Sequence, residues 1–365
     1  MPSHKKVARR NVALASTSFS GGGAEKVMVI LANNFVNKGV KVDFVVAKDS
    51  GPYKESLSKH VNKIVLSGNT SIALVNRLIG FFRLIKYFRY NNPVSFMSTL
   101  REFNVFCSIA HLLSRSKSKI IVREAETLDP LVNTKELKSK ILLFLMKFLY
   151  RKSDCVVANS DATKKDLEEH LSLDNKKVKR IYNPLILPEH KSPEKENFIL
   201  GCGRLHESKN FSDLILAFSN VKKRHPDFKL VILGEGSERE NLNSLINELG
   251  LSESVTLAGF VDNPYSYFLR AKLFVHTSKW EGFGYVLAEA MACGTSVVAY
   301  DSKGAISEVL GQGKYGRLVE NGNVKALSDS ICECIVSPYS SDTLKVGTER
   351  FNVDLICDSY LDIMG

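Results

Sequence analysis
The chain has 365 residues, 44% hydrophobic and 24% charged, which gives ample material for packed cores in two domains of ordinary size. Its seven cysteines are odd in number and none has Cys-x-x-Cys spacing, so a structural zinc site or disulfide frame is not expected and a reducing compartment fits. The net charge of +11 is unevenly divided: residues 1–190 carry 32 Lys and Arg against 16 Asp and Glu, whereas residues 191–365 carry 18 against 23. A basic half beside a mildly acidic one implies that the first half meets something anionic: a membrane surface, a pyrophosphate-bearing acceptor or nucleic acid. The basic N-terminus is not followed by an apolar, cleavable signal segment, and no apolar run approaches the roughly 18 residues of a membrane span.

In chain order, Asn11–Phe19 reads as a buried strand and is followed by three glycines, 21–23, and a helical stretch, Ala24–Asn37. Three glycines cost backbone entropy, so Gly22 and Gly23 form either a loop lying over a phosphate or sugar, or a tight strand-to-helix turn. Further strands are read at Lys41–Lys48, Val61–Leu66, Val94–Thr99, Lys119–Glu126, Asp154–Ser160 and Val178–Asn183. Between the third and fourth of the seven lies Arg77–Tyr90, where Leu78, Phe81, Phe82, Ile85 and Phe88 form an apolar stripe read as cover for a sheet. Arg83 and Lys86 lie off that stripe and are either solvated or directed at anionic lipid or a lipid-linked pyrophosphate. Lys138–Lys152 is a second basic apolar helix of this kind. At the end of the fifth strand, Arg123, Glu124 and Glu126 are expected to face a ligand cleft, with Glu124 a candidate to hold or deprotonate an acceptor hydroxyl and a salt bridge to arginine the alternative.

Pro184–Asn197 has a linker composition. Strands then resume at Phe198–Gly203, Lys229–Leu233, Val255–Phe260, Leu273–Thr277, Ser296–Tyr300 and Arg317–Val319, and the chain closes on a helical segment, Phe351–Met364. This alternation predicts two doubly wound parallel sheets with a cleft between them, in which ligands bind beyond the carboxyl ends of the strands. The motifs of the second half fall at such ends. Gly203 to Asn210 contains Arg204 and Lys209, a fixed guanidinium and a flexible ammonium suited to a diphosphate leaving group. Gly234-Glu235-Gly236 lacks the third glycine of a dinucleotide fingerprint and follows the wrong strand, so a nicotinamide cofactor is not expected. In the segment 278–294, Glu281 and Glu289 bracket a Gly282-Phe283-Gly284 turn and the start of a helix, a combination that suits a phosphate at the helix terminus and hydroxyls at the carboxylates. Glu289 lies among apolar neighbours and requires a polar partner. His206 and His276 stand near strand ends without a nucleophile relay, and no cluster has metal-ligand spacing.

Taken together, the glycine loop, Val156–Ser160, Tyr182-Asn183-Pro184, Gly203–Asn210 and Glu281–Gly294 resemble the retaining glycosyltransferases of family 4 over nearly the whole chain. The resemblance implies a GT-B fold of two Rossmann-like domains: an acceptor domain at residues 1–186, a nucleotide-sugar domain at 187–350, and a helix at 351–365 returning to the first. It further implies that Arg204 and Lys209 hold the donor diphosphate, that Glu281 contacts sugar hydroxyls near the reacting carbon, and that Glu289 holds the ribose. Main chain at Gly203 and from Gly282 through Phe283, Gly284, Tyr285 and Val286 would bind sugar and phosphate, main chain at Phe260 and Val261 would read the base, and Gly22 and Gly23 would close over the reaction centre. Many members carry a histidine after the strand that here ends in Arg123-Glu124, and this chain has none there. In the family, same-face attack with the leaving phosphate taking the acceptor proton makes a protein base dispensable.

The expected activity is retaining, metal-independent sugar transfer from a nucleotide diphosphate donor, UDP-linked by expectation, to a polyprenyl-pyrophosphate-linked saccharide. The expected location is the cytoplasmic face of an anionic membrane, with Arg83, Lys86 and Arg123 on the acceptor or membrane side. No cofactor, metal or nucleic acid is expected. An epimerase on the same fold and a basic nucleic-acid module are the alternative readings.

Overall fold
The computed structural model describes residues 11–20, 22–68, 70–186, 194–261 and 263–365, so that Gly21 and half of the expected linker lie outside the described residues. The chain divides into two compact units, Met1–Pro184 with Val353–Gly365, and Leu185–Asn352.

The first unit runs β1 (Asn11–Ser16), α1 (Gly23–Asn37), β2 (Lys41–Val46), β3 (Asn62–Val65), α2 (Ala73–Asn91), β4 (Ser95–Thr99), α3 (Arg101–Ser114), β5 (Lys119–Glu124), α4 (Asp129–Val132), α5 (Leu137–Lys152), β6 (Cys155–Ala158), α6 (Asp161–Leu171) and β7 (Val178–Arg180). Its strands form one parallel sheet in the order β3-β2-β1-β4-β5-β6-β7. The central strands β1, β2, β4, β5 and β6 are buried along nearly their whole length, the signature of a sheet covered by helices on each side, while the edge strands β3 and β7 are partly exposed. Right-handed crossovers place α2, α3, α5 and α6 on one face and α1 on the other. The order reverses between β1 and β4, and the Gly22-Gly23 loop leaves β1 at this point.

The second unit runs β8 (Glu196–Cys202), α7 (Phe211–Arg224), β9 (Lys229–Leu233), α8 (Arg239–Glu248), β10 (Val255–Gly259), α9 (Tyr265–Arg270), β11 (Ala271–His276), β12 (Trp280–Glu281), α10 (Tyr285–Ala292), β13 (Ser296–Asp301), β14 (Lys303–Gly304), α11 (Ile306–Val309), β15 (Arg317–Glu320), α12 (Val324–Val336) and α13 (Ser341–Thr348). Its main sheet is parallel, in the order β10-β9-β8-β11-β13-β15, with the reversal between β8 and β11; β12 and β14 form a separate two-stranded ladder. The last helix, α14 (Val353–Met364), belongs to the first unit and packs on α1. Both sheets are the doubly wound α/β architecture that the strand–helix alternation predicts. All seven cysteines are free thiols.

Two expectations need correction here. Of the expected α2 stripe, Phe88 is buried and Phe81 and Ile85 pack against the core, but Leu78 and Phe82 are 52% and 67% exposed, and the buried line runs through Gly80, Leu84, Tyr87 and Phe88. Apolar residues also stand on the outer side of this helix, between its arginines and lysines, and Gly80, which carries no hydrophobic signal, faces the core, where a Cβ would stand 3.5 Å from Leu66 O. Arg123 is buried inside the first unit instead of at a cleft surface: it is 0% exposed and donates to the Tyr360 hydroxyl (3.0 Å), Thr99 Oγ1 (3.1 Å) and Asn183 Oδ1 (2.5 Å). These bonds tie α14 and the end of the first unit to β5, a structural task that satisfies a buried guanidinium.

Candidate active site
The densest convergence of the expected residues lies at the reversal point of the second sheet. Beyond β8, the Gly203–Asn210 loop is held by its neighbours: Gly203 N–H donates to Leu233 O (2.9 Å) and Leu205 N–H to Glu235 O (2.9 Å). Gly234 has φ +135°, and a Cβ there would lie 1.9 Å from Gly203 O; a Cβ on Gly236 would lie 2.2 Å from Leu205 O. The two glycines thus let one strand-end loop lie against another, which accounts for the incomplete fingerprint without a dinucleotide. His206 caps the following turn, its Nδ1 accepting from Ser208 N–H at 3.2 Å.

Beyond β11, Thr277 Oγ1 donates to Lys209 O (2.9 Å) and Lys279 N–H to Ser208 O (2.8 Å), so the two loops flanking the reversal point are fastened together. Lys209 Nζ donates to Glu281 Oε1, which also accepts from Ser278 Oγ (3.0 Å) and lies 3.4 Å from His276 Nε2. Burial pushes the Glu281 carboxyl up, but the Lys209 ammonium and His276 outweigh it and hold the group well below the usual carboxylate range. Glu281 is therefore a carboxylate throughout the neutral range. Its backbone is fixed by the β12–β14 ladder, where Ala305 N–H donates to Glu281 O (3.2 Å). Gly304, at φ +114°, is required there, because a Cβ would stand 1.7 Å from Glu281 O. Arg204 is exposed on the same loop as Lys209 and pairs with no acid among the described residues.

Gly284, at φ +75°, opens α10, and Gly294, at φ +64°, closes it by donating to Met291 O (2.9 Å). The positive end of the α10 dipole accordingly lies at Gly284-Tyr285-Val286. Gly282 and the Phe283 side chain are buried, Phe283 edge-on to Phe351 at 5.3 Å, so any ligand contact from this turn is through main chain. Tyr285 and Val286 are half-buried. Glu289, 3% exposed, accepts from the Tyr265 hydroxyl at 3.0 Å, the polar partner that its apolar surroundings demand. Burial together with the Glu289 carboxylate pushes the Tyr265 phenol well up. Phe260 is 60% exposed just past β10, beside half-buried Val261.

In the first unit, Gly22 has ordinary extended backbone, and a Cβ there would meet Glu25 Oε2 at 2.4 Å, whereas Gly23 has open space around it. Glu25 is buried and accepts from Ser20 Oγ (2.7 Å), an acid in the first turn of α1 that holds the loop. Glu124 is a third correction. It is 1% exposed, accepts from the Tyr150 hydroxyl and from Asn104 Nδ2 (3.0 Å), and lies 3.5 Å from Arg101. Burial pushes its carboxyl up against the opposing pull of Arg101. The alternation with Glu126 fails because β5 ends at Glu124, and Glu126 is 73% exposed, 3.7 Å from Arg101. Arg101 follows β4 at the reversal point, after Leu100 at φ +74°, and sequence reading missed it for want of any motif. Tyr265, Ser278, Glu25 and Gly304 likewise belong to no motif that marks their contacts. Arg83 donates to Leu66 O (3.3 Å) and Ser67 O (2.5 Å), so its guanidinium is engaged by the chain itself, while Lys86 is exposed, 5.8 Å from the Tyr90 ring centre. The one carboxylate–histidine group compact enough for a metal among the described residues is Asp129, Asp166 and His170, where Asp166 already accepts from Leu128 N–H and lies 3.3 Å from His170.

Residues 184–345 match the family model described as Glycosyl transferases group 1, and residues 21–187 match the model described as Glycosyltransferase Family 4. A relative in Campylobacter jejuni, the N-acetylgalactosamine-N,N'-diacetylbacillosaminyl-diphospho-undecaprenol 4-alpha-N-acetylgalactosaminyltransferase, is 37% identical over 218 residues, 58% of this chain and 59% of that protein. The chain thus matches about three fifths of that relative's length. An uncharacterized glycosyltransferase of Haemophilus influenzae is 25% identical over 360 residues, 94% of this chain and 97% of that one. Among solved structures, Anabaena HepE in complex with UDP-glucose superposes with a TM-score of 0.80 at 21% identity, over 96% of this chain and 98% of that one. The apo lipopolysaccharide outer core galactosyltransferase WaaB does so with 0.75 at 19%, over 97% and 98%. The fold is GT-B.

Proposed function
The chain belongs to glycosyltransferase family 4, and from that premise we propose that it transfers a sugar, with retention and without a metal, from a UDP-linked donor to a lipid-pyrophosphate-linked saccharide. The observation that carries this reading is the Lys209–Glu281 pair at the reversal point of the second sheet, with Arg204 exposed beside it.

The proposed chemistry follows from these groups. Lys209 exchanges part of its contact with Glu281 for the donor diphosphate, and Arg204 forms the second cationic arm. As the glycosidic bond breaks, negative charge builds on the leaving diphosphate, and bonds that strengthen with that charge lower the barrier. Two cations at the diphosphate would supply the charge that a divalent ion would otherwise bring, which supports metal independence. Glu281 stays ionised and orients sugar hydroxyls; it is held by Lys209, Ser278 and His276 in a geometry that needs no movement of the main chain. The α10 terminus binds phosphate or sugar through main-chain N–H groups. Phe260 offers a flat apolar face to the base, and Glu289 takes ribose hydroxyls in place of Tyr265.

On the acceptor side no protein base is assigned, since Glu124 is sealed. Same-face attack, with the leaving phosphate taking the acceptor proton, is the course compatible with that arrangement. The polyprenyl acceptor is supported by the Campylobacter relative, whose name includes diphospho-undecaprenol. Such an acceptor would place the enzyme on the cytoplasmic face of a membrane. No helix of the described residues is long and apolar enough to cross one. The epimerase and nucleic-acid readings are not favoured, because the matched relatives are described as glycosyltransferases.

The test is a transfer assay with a panel of UDP-, GDP- and ADP-sugars and lipid-linked acceptor in the presence of EDTA, with the product's anomeric configuration read by NMR. Retained configuration, preference for UDP and indifference to EDTA are expected. Inversion, or loss of activity in EDTA restored by a divalent ion, contradicts the corresponding part of the reading.

A further inference from the structure
Arg101 and Arg123 both stand at the carboxyl end of the first sheet, and they are held in opposite ways. Arg123 is sealed, and its Nε, Nη1 and Nη2 each donate to a neutral side-chain oxygen. Arg101 makes a single hydrogen bond among the described residues, from Nη2 to Thr127 O. Its Nε is buried without one, with Glu124 Oε2 3.5 Å away, and 13% of the side chain remains exposed. Three features of this residue cost stability. Leu100, which precedes it, has φ +74°, a backbone conformation that a branched side chain resists. Arg101 opens the 14-residue helix α3, where the helix dipole is positive and a cation is disfavoured, with Glu102 in the same turn offsetting part of that cost. The buried Nε lacks the partner that desolvation demands. Local rules broken together at one residue mark function more than stability. The place is the reversal point between β1 and β4, where open parallel sheets bind ligands.

The surroundings of the guanidinium select the ligand. Glu124 lies against its Nε, and Glu126 Oε2 lies 3.7 Å from its Nη2. Whether or not Glu124 is ionised, the three groups carry no net positive charge, which disfavours a diphosphate and suits a neutral ligand. Glu126 is 73% exposed on a loop fixed at two points, by Arg101 at Thr127 O and by Asn159 Nδ2 at Ala125 O (2.8 Å). A fixed guanidinium offers donors and the adjacent carboxylate offers acceptors, which together match the two hydrogen-bonding roles of neighbouring hydroxyls on a pyranose. We propose that Arg101 and Glu126 form a saccharide-reading pair: the acceptor's sugar ring, rather than its pyrophosphate, accepts hydrogen bonds from Arg101 and donates them to Glu126. The pair sets which acceptor sugar is used, because a site built to hydrogen-bond a hydroxyl rejects a sugar that lacks it or carries it in the other configuration. The inference rests on the transferase reading for the ligand's role as acceptor, and adds to it the part of the acceptor that the first unit reads.

The experiment is a saturation-transfer NMR titration of the full chain with the methyl α-glycosides of glucose, galactose, N-acetylglucosamine and N-acetylgalactosamine, with and without UDP, for wild type, Arg101→Gln and Glu126→Gln. Wild type should bind at least one glycoside in the presence of UDP, with a preference among the four. Both variants should bind that glycoside at least about tenfold more weakly, with UDP affinity unchanged and, for the exposed Glu126→Gln, an unchanged Tm. Absence of glycoside binding by wild type, no preference among the four, or equal binding by Glu126→Gln overturns the proposal; the last of these, with a lowered Tm in Arg101→Gln, would make Arg101 a loop brace only. Binding of inorganic pyrophosphate to UDP-saturated wild type that Arg101→Gln abolishes also overturns it, by assigning the guanidinium to an anion. Glycoside and UDP binding are read separately, so failure of this pair and failure of the transferase reading are distinguishable.

Discussion
At the scale of single residues, the account rests on Glu281 and the groups that hold it. Removing Lys209 takes away both its counter-ion and a proposed diphosphate contact. Lys209→Ala should lower turnover by about 10²–10³-fold and Glu281→Ala should abolish measurable transfer, with folding intact by circular dichroism; full turnover by either removes the basis of the mechanism. A pH prediction follows from the depressed Glu281 carboxyl, which burial raises and Lys209 and His276 lower further. A depressed carboxylate contributes stability above the unfolded carboxyl value, about 4.3, and loses it as pH falls through the folded value. The Tm margin of wild type over Glu281→Gln should therefore be level from about pH 8 to about pH 5 and shrink below about pH 4; a margin that widens on acidification contradicts the assignment. The sequence shows Glu281 and Glu289 because two carboxylates around a glycine turn break an apolar pattern. It does not show Tyr265 or Ser278, whose hydroxyls donate to Glu289 and Glu281 without belonging to any motif.

At the scale of elements, glycines decide how closely the site loops approach. Gly304→Ala would force a Cβ onto the Glu281 carbonyl in a backbone conformation that alanine resists, at a cost of more than about 4 kcal/mol. A lowered Tm together with loss of transfer is expected, whereas Gly23→Ala, with open space, should be close to neutral for stability. The closing helix α14 is fastened to β5 by the Arg123–Tyr360 bond. Tyr360→Phe should cost about 1–3 kcal/mol in denaturant unfolding, because it leaves a buried guanidinium N–H without its partner; an unchanged midpoint would show that the bond contributes nothing. Strand positions were legible because buried parallel strands are continuous Val- and Ile-rich runs. Helix faces were legible only where polarity varies around the helix. In α2, Leu78 and Phe82 are as apolar as buried Leu84 and Phe88, and a glycine rather than a hydrophobe marks the contact line. The end of β5 was misread for a related reason: alternation places Glu124 and Glu126 together only while the strand continues.

At the scale of the whole molecule, the uneven charge of the sequence has a structural counterpart. The excess of lysine and arginine in residues 1–190 includes α2 and α5, where acids are absent and apolar side chains are exposed. The mildly acidic second unit carries the proposed donor groups at the reversal point of its sheet. The sugar and the linkage are not written in either unit, because hydroxyl recognition depends on a few polar contacts whose partners the sequence does not encode as a motif. The donor's diphosphate is the part of the proposed substrate assigned to Arg204 and Lys209, and the central claim is tested there. Titration calorimetry of UDP should show binding to wild type and a loss of at least about a hundredfold in Arg204→Ala/Lys209→Ala. No UDP binding by wild type, or equal affinity in the double variant, would contradict the account.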